Sequence, residues 1–407
     1  MPERKKRILI LSANAGYGHK SASKALLAAL EETHGEDCEF EIVNALDHRK
    51  TPAWLRESQT DYDRIARDMP EIYKFGYDVS DSAIARRFME NGLRVLLFAA
   101  LKDIVESWKP DAIISTYPLY QAPLNTYYQL SRTFIPTICV VTDLTSIHQI
   151  WFSKDADLTI VPTEIVRTLA LEAGLAPERV EVVGIPVHPA ILHENRPVGE
   201  LRAELGWDRD LTTILAVGSK RVSRLPEVLN VLNHSGLPLQ LIAVAGGDEE
   251  LYAKLSSIDW HLPAKVLGFV SNMPALVHAA DAVASKAGGL IVSESLAAGR
   301  PLLIVEAIPG QEEGNAEFVV SGGAGDRGLD AVSALEAVRH WTLDGASLLK
   351  RRTERASILG RPRAAFDIVD RAWALAQKGP YRMDFPQTEL GKKIGEALRS
   401  AGIEFDD

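Results

Sequence analysis

The chain has 407 residues, 46% of them hydrophobic and 25% charged, with a formal net charge of −10. At roughly 100–200 residues per domain this length predicts two cores rather than one, and the apolar and charged fractions exclude a disordered or membrane-spanning class. The acidic balance also excludes nucleic acid as a general partner, because phosphate neutralisation needs clustered Lys and Arg.

The basic residues that open the chain pass directly into Ile8-Leu9-Ile10-Leu11, without the apolar h-region of a signal peptide. Only two cysteines occur, Cys38 and Cys139, both inside strand-like runs. A disulfide framework or a cysteine metal site is therefore not expected, and the expectation is a cytoplasmic protein in a reducing compartment. Arg7 to Ser12 reads as a buried strand, followed by a glycine turn and a helix through Ala22 to Leu30. Further strands are predicted at Phe40 to Leu46, Ala112 to Ser115, Thr137 to Thr142, Leu158 to Val161 and Val180 to Gly184, with helical segments between them. Such alternation predicts a parallel sheet with helices on both faces.

Residues 48–108 interrupt that alternation with a long helical insertion. It carries Trp54, Tyr62, Tyr73, Phe75, Tyr77 and Phe88 among Arg64, Arg67, Lys74, Arg86 and Arg87. Two readings are open: a helical cap with its own small core, or a face of aromatic and basic residues that lies on a membrane surface. The longest apolar run, Val95 to Leu101, is far below the roughly 20 residues that cross a bilayer.

After Pro186-Val187-His188-Pro189 the pattern restarts, with strands expected at Thr213 to Val217, Gln240 to Ala245, Lys265 to Phe269, Ala282 to Ser285 and Pro301 to Val305. This places a first domain over residues 1–190, a linker near 186–200, a second domain over 200–375, and a polar tail over 376–407 that carries no chemistry.

Two segments have the composition of sites. Ser12-Ala-Asn-Ala-Gly-Tyr-Gly-His-Lys-Ser21 joins the first strand to its helix, where backbone N–H groups converge. Gly18 is followed by His19-Lys20-Ser21, so the order of a phosphate-binding P-loop is absent. His19 at this turn could act as a general base or merely cap the turn. The second segment is Ser285-Lys-Ala-Gly-Gly-Leu-Ile-Val-Ser-Glu294, followed by Gly299-Arg-Pro301 and Pro309-Gly-Gln-Glu-Glu-Gly-Asn315. Gly288 and Gly289 permit close approach of a diphosphate to a helix N-terminus, and Glu294 could accept hydrogen bonds from a ribose diol. Gln311, Glu312 and Asn315 suit a sugar's hydroxyls, the alternative being a solvated acidic loop.

With these residues in place, the chain resembles the family of monogalactosyldiacylglycerol synthases and bacterial processive diacylglycerol glucosyltransferases, relatives of the enzyme that adds N-acetylglucosamine to lipid I. The likeness runs through most of residues 7–375. It includes Gly18-His19 with Ser21-Ala22, Lys109-Pro-Asp111, Ser115-Thr-Tyr-Pro118, Val141-Thr-Asp143 with His148 and Trp151, Gly184-Ile-Pro-Val187, Gly268-Phe269 with Asn272-Met273, and the block 285–315.

The resemblance implies a GT-B fold, two Rossmann-like doubly wound domains facing a central cleft. Acceptor and membrane contact would fall to the first domain and the UDP-sugar donor to the second. It implies that His19 is the catalytic base, that Glu294 binds ribose, and that Gln311 and Glu312 contact the donor sugar. Further donor contacts are implied at Gly218, Ser219, Phe269, Val270, Met273, Lys286, Gly288, Gly289, Leu290 and Asn315. Gly18, Asp143 and His148 would line the acceptor side, Asp143 and His148 having an alternative as strand-end hydrogen bonders. The implied activity is inverting transfer of galactose or glucose from a UDP-sugar to diacylglycerol, at the inner face of a membrane, without a metal or other cofactor. Alternatives are another lipid or small acceptor, a UDP-sugar 2-epimerase of the same fold, and a non-catalytic UDP-sugar-binding protein.

One departure bears on activity. Where the family has a glycine cluster, this chain reads Val217-Gly-Ser-Lys-Arg-Val222. Lys220 and Arg221 could supply charge to the diphosphate there, or a crowded loop could weaken donor binding. The strings Asp155-Ala-Asp157 and Asp208-Arg-Asp210 match a D-x-D metal motif in letters, and as turn residues they need no metal.

Overall fold

The computed structural model describes residues 4–14, 17–57, 91–219, 222–310 and 312–382. The chain divides into two compact units, one of residues 1–143, 147–186 and 364 onward, the other of residues 144–146 and 187–363.

In the first unit, β1 (Lys6–Leu11) pairs in parallel with β2 (Cys38–Val43) on one side and β3 (Ala112–Ser115) on the other. Beyond the short β4 (Thr133–Phe134), the sheet continues through β5 (Thr137–Val140), β6 (Leu158–Val161) and β7 (Val180–Val182), in the order β2-β1-β3-β5-β6-β7. Every residue of β3, β5 and β6 is buried, as expected of parallel strands covered by helices on both faces. Because β2 and β3 flank β1 on opposite sides, β1 and β3 mark the topological switch point of this sheet, the place where α/β sheets carry sites at the strands' carboxyl ends.

The strand predictions hold except at their ends. Phe40 to Leu46 was expected as one strand. The ladder stops at Val43 because Asn44 Oδ1 accepts the Leu46 N–H at 3.1 Å and starts a 3-10 turn over Ala45–Asp47. The ladder that starts at Thr137 closes at Val140, leaving Thr142 beyond the strand. Of the insertion at 48–108, Tyr62, Arg64, Arg67, Tyr73, Lys74, Phe75, Tyr77, Arg86, Arg87 and Phe88 lie outside the described residues. Trp54, which is described, is 61% exposed.

The second unit repeats the design with β8 (Thr212–Val217), β9 (Leu239–Val244), β10 (Ala264–Leu267), β11 (Ala282–Lys286), β12 (Leu302–Glu306) and β13 (Gly325–Arg327). Their order, β10-β9-β8-β11-β12-β13, is that of a Rossmann sheet, with its switch point between β8 and β11. Gly325-Asp-Arg327 has no apolar run, which is why β13 is invisible in the sequence pattern.

Two boundaries differ from expectation. The segment expected as a linker is partly helical: His188 Nδ1 accepts the Ala190 N–H at 3.2 Å and caps the helix Pro189–His193. The second domain was expected to run to residue 375, yet the helix Ala364–Lys378 belongs with the first unit. It packs on the helix Tyr17–His34 and on β1 and β3, with Trp373 stacked on His34 at 4.2 Å and Arg371 paired with Glu181 at 2.5 Å. Its buried face of Ile368, Val369, Ala372 and Ala376 supplies the apolar surface that covers the sheet. After it, β14 (Tyr381–Arg382) pairs antiparallel with β4.

Candidate functional site

At the first unit's switch point, the turn after β1 leads into the helix Tyr17–His34, whose first turn presents His19. Its Nδ1 lies 2.8 Å from the Thr116 carbonyl oxygen, in the loop after β3, and 3.1 Å from Thr142 Oγ1, in the loop after β5. A carbonyl can only accept, so Nδ1 carries the hydrogen, and in the neutral ring Nε2 carries the lone pair. The half-buried ring packs edge-on against Tyr117, centroids 5.0 Å apart, and lies 6.0 Å from Trp151. Its backbone is held as well: the His19 carbonyl accepts from Ser12 Oγ at 3.2 Å and Ser23 Oγ at 2.9 Å. This is the arrangement of an oriented imidazole base.

The neighbours named from the sequence divide. A Cβ built on Gly18 meets nothing within 4 Å, so that side of the helix start is open. Asp143 is half-buried next to Thr142. His148 is buried, and its Nδ1 accepts the Ile150 N–H at 3.2 Å to cap the turn Gln149–Trp151. That cap is a structural role at a turn, eight residues beyond the end of β5.

In the second unit, the donor residues lie on loops at the carboxyl edge of the sheet. A register shift between Ser285 and Lys286 at the end of β11 sets Lys286 opposite Glu306. Lys286 forms a buried ion pair with Glu312, which also accepts the Ile308 N–H at 3.2 Å. A Cβ on Gly288 would stand 3.1 Å from Lys286 Nζ, so the ammonium lies over the start of the helix Gly289–Ala297. Among the described residues no side chain caps that helix, whose first N–H groups include those of Gly289 and Leu290. Uncapped N–H groups beside an ammonium suit a diphosphate.

Glu294 projects from the same helix. Among the described residues its partly buried carboxylate has no hydrogen-bond or ion-pair partner, and desolvation pushes its pKa up to about 7. A buried acceptor without a donor is the complement of a diol. Beyond β10, Phe269 is 81% exposed and offers a flat face, with Val270 and Met273 half-buried beside it.

Three expectations need revision or lie out of view. Asn315 is fully buried; its Oδ1 accepts the Leu144 N–H at 3.0 Å and its Nδ2 donates to the Ala287 carbonyl at 3.0 Å. Each polar atom of that amide has a partner and none of the side chain reaches the surface, so Asn315 shapes the loop before Gly288. Glu312 is likewise engaged, with the Lys286 ammonium and the Ile308 N–H. Gln311, Lys220 and Arg221 lie outside the described residues.

Gly218, the remnant of the glycine cluster, has a packing reason. A Cβ there would come within 2.4 Å of Leu251 Cδ2 and 3.3 Å of the Val244 carbonyl. We expect Gly218→Ala to destabilise the protein by about 1–3 kcal/mol, read from the midpoint of urea unfolding. Unchanged stability with lost UDP binding would instead mean that the glycine serves the ligand alone. Ser219, half-buried, follows it, and its carbonyl accepts the Val222 N–H at 2.9 Å.

Sequence reasoning missed Thr116, Thr142 and Glu306. The two threonines were visible only as members of strand-end motifs. Glu306 closes the apolar run of β12, and its carboxylate holds the loop after β8 by accepting from Ser223 N at 2.7 Å and Ser223 Oγ at 3.0 Å. The D-x-D carboxylates are turn and strand-end acceptors: Asp157 from Thr137 N at 2.7 Å, Asp208 from Asp210 N at 2.8 Å, and Asp155 from Asn125. Among the described residues no cluster of three or more His, Cys, Asp and Glu side chains is arranged to hold a metal.

Two Rossmann-like sheets, each with its candidate residues at the carboxyl edge, define a protein of GT-B architecture. Residues 19–187 match the monogalactosyldiacylglycerol (MGDG) synthase family, and residues 214–347 match the glycosyltransferase family 28 C-terminal domain. The chain belongs to the MGDG synthase family: it is 31% identical over 380 residues to the chloroplastic monogalactosyldiacylglycerol synthase of Spinacia oleracea, covering 90% of this chain and 72% of that protein. It is similar, at 29% over 388 residues, to monogalactosyldiacylglycerol synthase 1 of Arabidopsis thaliana, covering 92% of this chain and 72% of that one. Among solved structures, Acinetobacter baumannii MurG has a TM-score of 0.59 at 16% identity, covering 91% of this chain and 99% of its own. Staphylococcus aureus MnaA with UDP gives 0.58 at 15%, covering 93% and 100%. At these identities the structures show the fold.

Proposed function

We propose that this protein transfers a hexose, galactose or glucose, from a UDP-sugar to the hydroxyl of diacylglycerol with inversion at the anomeric carbon. The observation that carries the reading is His19, its Nδ1–H anchored on the Thr116 carbonyl, within the segment that matches the MGDG synthase family. With the proton fixed on Nδ1, Nε2 takes the acceptor's hydroxyl proton as the alcohol oxygen attacks the anomeric carbon. The bond from that carbon to the diphosphate breaks, and the sugar's configuration inverts. Charge left on UDP is met by Lys286 and the N–H groups after Gly288, while Glu294 accepts from the ribose diol.

The acceptor in this proposal is supported by the names of the two curated relatives above, both monogalactosyldiacylglycerol synthases. A peripheral place on the inner face of the membrane belongs to the same proposal. It is supported by Trp54 at 61% exposure, close in sequence to Arg49 and Lys50. Among the described residues no helix is long and apolar enough to cross a membrane.

The test is UDP release from UDP-galactose, UDP-glucose and UDP-N-acetylglucosamine, with and without diacylglycerol in vesicles. We expect release from a UDP-hexose that depends on diacylglycerol. Sugar nucleotide consumed equally without any acceptor would point to epimerase chemistry, and binding without release would point to a sensor; either outcome overturns the proposal.

A further inference from the structure

The hydroxyl groups around His19 exceed what folding of the turn requires. Val141 still joins the sheet, its N–H bonded to Ile160 O at 3.0 Å, so Thr142 emerges at the carboxyl edge with 6% exposure. Its Oγ1 lies 3.1 Å from His19 Nδ1, the atom that donates to Thr116 O at 2.8 Å. Thr116 is fixed in turn, its hydroxyl lying 2.9 Å from that of Ser23, which donates to the His19 carbonyl at 2.9 Å. One N–H thus faces two oxygens, a carbonyl from the end of β3 and a hydroxyl from the end of β5.

We propose that Thr142, together with the Ser23–Thr116 hydroxyl pair, is a positioning group that fixes the ring plane of His19 while the Thr116 carbonyl sets its Nδ1–H tautomer. The inference rests on the reading of His19 as the base. The Thr116 carbonyl can only accept, so it disfavours a flipped ring, in which a C–H would face it, and the tautomer whose lone pair would face it. The Thr142 hydroxyl adds a second oxygen at the same nitrogen and narrows the ring's rotation about its plane. Valine fills nearly the same shape, and serine keeps the oxygen while losing the methyl.

Thr142→Val therefore lowers kcat about fivefold, the effect of one neutral hydrogen bond, with KM for both substrates unchanged. Thr142→Ser returns kcat to near the wild-type rate. An NMR readout is independent of turnover: the ring signals of His19, assigned by their loss in His19→Gln, are sharp in the wild type and broadened by ring motion in Thr142→Val. If the valine protein does not fold, Thr142→Ala removes the same oxygen with less steric demand. Unbroadened ring signals in Thr142→Val or Thr142→Ala overturn the inference, as does a serine variant as impaired as the valine one. Broadened ring signals in Thr142→Val beside a His19→Gln protein that transfers sugar at the wild-type rate would support the positioning and refute the base assignment, so the two failures are distinguishable.

Discussion

Replacing His19 by Gln lowers kcat for sugar transfer by about 10²–10⁴-fold while UDP-sugar affinity stays near wild type. Gln is the informative substitution because it keeps most of the volume between Tyr117 and Trp151, whose ring centroids lie 5.0 and 6.0 Å from that of His19. Alanine would mix lost chemistry with a packing defect. The donor residues reside in the other unit, so binding and chemistry separate: isothermal titration with UDP measures one, product formation the other. A Gln variant that transfers at the wild-type rate removes His19 from the mechanism, whatever its geometry.

The second large effect is expected at Glu294, and it has opposite signs for stability and binding. Desolvation raises its pKa from 4.5 to about 7, so the folded state holds a proton over a pH range in which the unfolded chain has released it. That contribution to stability is fully present below about pH 4.5 and is lost as pH rises through about 7, where a partly buried carboxylate must ionise without a partner. The shift sets an upper bound of about 3 kcal/mol. Glu294→Gln accordingly melts higher than the wild type at pH 8 and close to it at pH 5. The same variant binds UDP about tenfold more weakly at pH 8, because a charged acceptor for the ribose hydroxyls has become a neutral one. Wild-type affinity for UDP rises with pH through about 7 as the carboxylate ionises. Equal melting temperatures at pH 8 would mean that the carboxylate is solvated, and equal UDP affinity would remove it from the nucleotide subsite.

Much of this architecture was legible before any coordinates. Apolar runs of strand length between helical segments predict two parallel sheets, and glycine turns at strand ends mark their edges. Lys286, Gly288, Gly289 and Glu294 were identified because one strand-turn-helix unit carries all of them, so their proximity is enforced by chain connectivity. The same locality explains the misses. Gly325-Asp-Arg327 becomes a strand through pairing with β12 and not through its own pattern. The helix Ala364–Lys378 is amphipathic wherever it docks, and nothing in its periodicity says that it returns to β1 and β3 of the first unit.

The sequence by itself determined the fold class, the two sheet edges that carry the candidate residues, and the residue types at those edges. Those features follow from side-chain period, glycine placement and neighbours within one turn. Tertiary structure alone decided what each polar atom does. Glu312 reads as a sugar ligand until Lys286 is found against it, and Asn315 until the Leu144 N–H and the Ala287 carbonyl occupy its amide. His19 gains a defined tautomer only from Thr116, and a second oxygen at the same nitrogen only from Thr142, 97 and 123 residues away along the chain. A hydrogen-bond partner is chosen by distance and angle in space, and neither is encoded in local sequence pattern.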